Sequence, residues 1–213
     1  MKVKDVKELK TLLKQNKKAT LFISAAFVLC LVLVLVLCFV FQKEPESFTG
    51  KQYYVPNYEE DIFQNKAYLS YQRDLSYSVS GVEQLFNFEE DYESADNECK
   101  FFLSYFQTVI NGDYEKLPDF YVEDYFEDPV KFTMQMIYEP RVVYHSVSGE
   151  TIDGKEVTLI NYHVEYKIFK NNETFRSDIP SNTAIPQIYQ LIKNDDGSYQ
   201  IYRILDVKPE NEN

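Results

Sequence analysis

The fold class predicted is α+β: a globular domain carried on one membrane-spanning helix. Three observations predict it. Residues 19–41 are an unbroken apolar run, residues 99–110 repeat apolar side chains at helical spacing, and after Pro140 the period drops from 3.6 to two. Helices followed by a run of antiparallel strands is an α+β order. We therefore expect a curved antiparallel sheet closing over helices on its concave side.

The apolar run, 23 residues without charge, Pro or Gly, is long enough to cross a bilayer as a helix. Sixteen of its residues are Leu, Ile, Val or Phe. On insertion scales these sum to roughly −5 kcal/mol or better. Signal-peptide cores are shorter and end in a small-x-small cleavage site, which is absent here, so an uncleaved anchor is expected. Leu stands before both Cys30 and Cys38, where a lipid-attachment signal would need a small residue. Ser24-Ala25-Ala26 is the one small cluster, with no GxxxG, so helix pairing in the membrane is not signalled.

Charge fixes the expected orientation. Residues 1–18 carry seven lysines against Asp5 and Glu8, whereas residues 42–213 carry 15 basic and 32 acidic side chains, a net −17. The positive-inside rule places the tail in the cytoplasm and the large domain outside. Val6, Leu9 and Leu13 at helical spacing would also let the lysine-rich tail lie on anionic lipid. Strong negative charge outside argues against nucleic acid. Membrane lipid at residues 19–41 and a protein partner outside the cytoplasm are the expected contacts.

Five regions follow: a basic tail (1–18), the span (19–41), a tyrosine-rich acidic stalk with accessory elements (42–95), the α+β domain (96–207) and a polar tail (208–213). Six of the 18 tyrosines fall between residues 53 and 77. Tyr53, Tyr54, Tyr58, Tyr68 and Tyr71 are the candidate partner contacts, since exposed tyrosines anchor interfaces. They could equally cover the domain's own core. Tyr68, Tyr71 and Leu75 share one helical face, but Ser78, Ser80 and Gly81 break that pattern.

Asp96 is a helix cap, and Cys99, Phe102, Leu103, Phe106, Val109 and Ile110 form one apolar stripe ending at Asn111-Gly112. A short helix is expected over 114–121. A third should open at Asp128-Pro129, aligning Val130, Met134 and Ile137, and close at Glu139-Pro140. Residues 141–148 read as a strand and Asp153-Gly154 as a hairpin turn. Over 156–169 the alternation is strict, with Ile160, Tyr162, Val164, Tyr166 and Ile168 facing the core. Residues 184–193 and 198–207 form a last hairpin about Asp195-Asp196-Gly197.

Residues 101–121, FFLSYFQTVINGDYEKLPDFY, with 189–207, YQLIKNDDGSYQIYRILDV, resemble the nuclear transport factor 2-like superfamily. The likeness lies in hydrophobic pattern over about 96–207. It implies a cone whose bent sheet can enclose a pocket, in a superfamily of enzymes, ligand binders and interaction modules. A basic tail, one span and such a cone also resemble, in layout, the membrane assembly-factor subunit of type IV secretion and conjugation machines.

Catalytic members of the superfamily would need an Asp, Tyr or His inside the cone. His145, between Val143 and Val147, is the one candidate. His163 falls on the wet face of its strand. No GxSxG motif occurs, Cys99 sits on a core stripe, and Cys and His are not clustered for zinc. The acidic groups at 59–61, 89–91 and 195–196 lack calcium-loop spacing and read as solvated surface. Asn172-Glu173-Thr174 is a glycosylation sequon, meaningful only in a eukaryotic secretory pathway. No cofactor and no metal are expected. The reading is a non-catalytic extracytoplasmic interaction domain, the alternative a small-molecule-binding or isomerase-like cone.

Overall fold

A computed structural model describes residues 54–207, apart from 124, 127–129 and 153. The basic tail, the expected span at 19–41, Tyr53 and residues 208–213 lie outside the described residues. Among the described residues no helix is long and apolar enough to cross a membrane.

The fold is α+β, built on a six-stranded sheet in the order β2-β1-β3-β4-β5-β6. Its strands are β1 (Leu75–Val79), β2 (Val82–Phe86), β3 (Ile137–Ile152), β4 (Lys155–Ile168), β5 (Gln187–Lys193) and β6 (Tyr199–Asp206). Two α-helices are described, the single turn α1 (Lys66–Leu69) and the long α2 (Asn97–Asn111). The sheet is mixed, whereas pure antiparallel pairing was expected: β1 runs parallel to β3. The chain leaves β2, passes through α2 and returns beside β1 in the same direction, which a hairpin cannot do.

Residues 54–95 belong to the same compact unit as the rest of the domain. They supply two strands and bury Tyr68, Leu75 and Tyr77. The spacing of Tyr68, Tyr71 and Leu75 is not helical here, because α1 ends at Leu69 and Leu75 opens β1. Ser80 and Gly81 join β1 to β2 at φ +53° and +78°. Two left-handed residues in a two-residue connection match the twist of the paired strands.

Helix α2 follows the expected caps. Cys99 N–H donates to Asp96 Oδ1 at 2.7 Å, and Gly112 ends the helix at φ +70°. Gly112 is required twice over, since a Cβ there would meet Met134 N at 2.7 Å. Phe102 lies edge-on to Tyr162 at 5.0 Å and Phe106 to Tyr166 at 5.4 Å, seating the helix on β4. Each fully buried large apolar side chain stabilises the fold by about 1.5–3 kcal/mol. Phe101 and Tyr105 are buried beyond the expected stripe, packed against Phe120 on the helix's other side.

Two expected helices are corrected. Only a 3-10 turn, Leu117–Phe120, forms in 114–121. The described part of the third helix, 130–136, has no regular structure, and β3 begins at Ile137. Val130 and Lys131 are exposed, but Phe132, Thr133, Gln135 and Met136 are all buried, so residues 132–136 have no wet face for a helix to present. Its polar side chains bind outward: Gln135 Nε2 donates to Thr174 Oγ1 at 3.1 Å. Pro140 does not end an element but sits in β3 where the register to β4 shifts between Tyr138 and Arg141. A strand tolerates Pro at a bulge because no ladder N–H is needed there. Glu139 takes φ +49° at the same place.

Strand β4 buries Tyr162, Val164, Tyr166 and Ile168 on its inner face as expected, but the alternation fails before them: Ile160 is only half-buried, while Leu159 and Asn161, expected on the wet face, are buried. The β3–β4 hairpin turns between Ile152 and Lys155, with Gly154 at φ +78°. Its arm does not stay flat. Arg203 on β6 contacts Glu150 on β3. On a flat sheet those positions would lie roughly 20 Å apart from strand rise and spacing, so the arm curls over the outer face.

Candidate functional site

The inner face does not close completely. A cavity of about 480 Å³ opens between the end of the 3-10 turn, β4, β5 and the 174–178 loop. Tyr125, Phe126, Phe132 and Phe175 supply aromatic walls, and Leu117, Val130 and Ile204 apolar ones. Four tyrosines line it that are 5% exposed or less: Tyr105 from α2, Tyr121, Tyr166 from β4 and Tyr189 from β5.

Their hydroxyls are linked. Tyr105 Oη lies 3.1 Å from Tyr121 Oη and 3.4 Å from Tyr189 Oη. Each phenol carries one proton and accepts up to two. Tyr105 is the hub that both other hydroxyls meet, and Tyr189 also bonds the Tyr166 hydroxyl. Tyr166 Oη accepts from Arg176 Nη1 at 3.2 Å and retains its own proton. Burial pushes the Tyr105, Tyr121 and Tyr189 phenols well above their ordinary range and raises Tyr166 too, so they stay neutral and donating.

Arg176 fixes the rim. Its Nη1 also donates to Gln187 Oε1 at 2.8 Å, and Nε and Nη2 both reach the Asp178 carboxylate. That bidentate bond holds the Asp178 carboxyl below its usual range, so the pair is neutral overall. Neither histidine nor cysteine is among the lining residues.

The sequence-derived candidates fall elsewhere. His145 is exposed on the outer face, at a bulge in β3 between Tyr144 and Ser146. Its ring lies 4.4 Å from that of His163. Burial first, then His145, pushes the His163 imidazole down, with Glu165 opposing. His163 borders a separate depression of about 250 Å³ with Arg141 and Glu165.

Tyr68 is fully buried and donates to Ile137 O at 2.8 Å. Tyr71 stacks on Tyr138 at 4.4 Å, and Tyr58 is exposed with Lys131 Nζ 4.8 Å from its ring centre. Tyr54 is half-buried, with Lys170 Nζ 6.0 Å from its ring. Among the described residues, no ring contact joins Tyr54, Tyr58, Tyr68 and Tyr71 to one another.

Burial pushes the Cys99 thiol up to about 12, which leaves it inert. The sequon asparagine is occupied: Asn172 Nδ2 donates to Thr133 Oγ1 at 2.6 Å and Oδ1 accepts from Thr174. Among the described residues, no three His, Cys, Asp or Glu side chains are grouped to hold a metal. Asp61 and Asp196 instead accept from nearby backbone, Phe63 N and Ser198 N.

Spacing alone does not reveal the cavity, because its residues come from α2, β4, β5, β6 and the segments between them. The available signal was tyrosine at inward positions, Tyr105 beside the α2 stripe and Tyr166 on the core face of β4. Comparisons of the chain with protein-family models, curated proteins and solved structures find no match to any of them.

Proposed function

We propose that residues 54–207 form a non-catalytic binding domain, held outside the cytoplasm by the apolar segment 19–41, and that the tyrosine cavity receives its ligand. One observation carries this reading: an aromatic-walled space of about 480 Å³ floored by four buried tyrosine hydroxyls. A small flat molecule with an acceptor oxygen suits that lining. Arg176 is already paired with Asp178, and Asp206 also lines the space, so no unpaired positive charge is offered to an anionic ligand. Over 96–207 one long helix is followed by four strands, which supports likeness to a nuclear transport factor 2-like cone, while β1 and β2 before the helix lie outside that likeness.

The test is titration of the full chain in nanodiscs with acetophenone, a flat ring bearing one carbonyl, followed by NMR. Saturable shifts that Tyr105→Phe and Tyr189→Phe weaken at least several-fold are expected. Binding unchanged in both variants sinks the reading. A second reading is an assembly scaffold contacting another envelope protein, and the exposed Val82, Leu85 and Tyr58 favour it.

A further inference from the structure

The chain holds two histidines, His145 and His163, and the fold brings them into contact with each other. They come from neighbouring strands, β3 and β4, on the outer face. The residue directly opposite His163 is Val143, not His145. A bulge makes the difference. Tyr144 pairs with Tyr162 and Ser146 with Asn161, so His145 is the extra residue, unpaired between them. A bulge re-aims the side chain it carries, and here the two ring centres lie 4.4 Å apart with their planes at 34°.

The charged neighbours are engaged with one another. Arg141 Nη1 donates to Glu165 Oε1 at 3.3 Å, and Arg141 Nε lies 3.8 Å from Glu83 Oε1. Lys167 Nζ donates to Glu139 Oε2 at 2.6 Å. Neither imidazole enters these bonds. His145 is exposed and His163 half-buried, so solutes reach the pair.

The separation of the rings says what fits between them. A divalent metal bonds an imidazole nitrogen at about 2.0–2.1 Å, which puts the ion about 3.2 Å from the ring centre. Two imidazoles at a right angle on one ion then have centres about 4.5 Å apart, and a tetrahedral angle opens this only to about 5 Å. His145, being exposed, can turn a nitrogen to the shared point. Imidazole suits Zn²⁺, Cu²⁺ and Ni²⁺, whereas Ca²⁺ and Mg²⁺ need oxygen ligands. Among the described residues no third His, Cys, Asp or Glu joins the pair, so water would fill the remaining positions and the ion would exchange readily. The net negative charge of residues 42–213 concentrates cations at this surface.

We propose that His145 and His163 form a clip for one divalent transition-metal ion of the Zn²⁺ class, tying β3 to β4 at the bulge. The inference is independent of what the tyrosine cavity binds.

The test uses the full chain in nanodiscs, free of any affinity tag and labelled with ¹³C-histidine, titrated with ZnCl₂ at neutral pH. NMR then shows two imidazole signals, one from each side chain. Both should move along one saturation curve with a stoichiometry of one ion per chain. His145→Asn should weaken the response of His163 at least several-fold, and His163→Asn that of His145, with the circular dichroism spectrum unchanged in both. Affinity should fall steeply between pH 7 and pH 5, since each ligand must be unprotonated to bind. Signals that titrate independently of each other overturn the proposal, and this reading needs no variant. So do binding as tight in either variant as in the unmodified chain, an equal response to MgCl₂, and signals that stay in place at millimolar ZnCl₂.

Discussion

On the inner face of the sheet, Tyr166 and Tyr189 bring hydroxyls into a dry aromatic interior beside Tyr105 and Tyr121. On the outer face, Asn161, Gln190 and Arg203 form a ladder across β4, β5 and β6. That ladder is closed. Asn161 Nδ2 donates to Ser148 Oγ at 3.1 Å, Gln190 Nε2 to Asn161 Oδ1 at 2.6 Å, and Arg203 to Gln190 and Glu150. The outer run ties three strands together and holds the curl of the hairpin arm, whereas the inner hydroxyls line a cavity. The difference separates the face that holds the architecture from the face that can recognise something.

The largest effect should come from the apolar part of the inner face. Phe102→Ala removes a fully buried ring between α2 and β4, and urea unfolding should show a loss of about 3–5 kcal/mol. Asn161→Ala comes next, leaving Gln190 without its acceptor, at about 1–3 kcal/mol. If the amide costs more than the ring, the assignment of stability to the inner face is wrong. Tyr105→Phe keeps the ring and deletes both hydroxyl links, so a loss near 1 kcal/mol is expected by the same assay.

Alkali sharpens the contrast between the faces. The four cavity phenols have folded-state pKa values raised above the unfolded value of about 10, so their contribution is fully present below that pH and lost as pH rises past it. The chain has no Trp, so phenolate absorbance is read cleanly. Exposed tyrosines should ionise at once after a pH jump and the buried four only as the domain unfolds. A single fast phase would place those hydroxyls in water.

The smallest effect is on the outer face. His163 has a folded-state pKa below the ordinary value of about 6.5, so its contribution is present above that pH and lost as pH falls beneath it. His145, Glu165 and Arg141 are the charged or titratable neighbours facing it. His163→Gln should flatten the melting temperature between pH 7 and pH 5. An unchanged slope would move the effect to another group.

Much of this architecture was legible in the sequence. Asp96 and Gly112 bound α2 because a side-chain acceptor and a left-handed residue are what helix ends need. Strand β4 showed its inner face because an antiparallel strand covered on one side must alternate. Residues 130–136 misled because Val130, Met134 and Ile137 keep helical spacing while Thr133 and Gln135 between them are buried too. Strands β1 and β2 were hidden by the same ambiguity, Ser80-Gly81 reading as a broken helix when it is a hairpin turn. The cavity was illegible for a different reason. Arg176 and Asp178 sit in a loop, and only the folded sheet brings them to Tyr166 and Gln187.

The parallel pairing of β1 with β3 has a kinetic consequence. Ser76 must find Arg141 across the whole of β2 and α2, whereas β3–β4 and β5–β6 are neighbours joined by turns. Long loops close slowly, so β1 and β2 should dock last, onto a sheet already assembled. The same pair should open first, with amide exchange in 75–86 outrunning that in β4. With the anchor proposed at 19–41, tension would enter at the N-terminal end. Pulling would then peel β1 and β2 away before it disturbed α2 or the tyrosines beneath it.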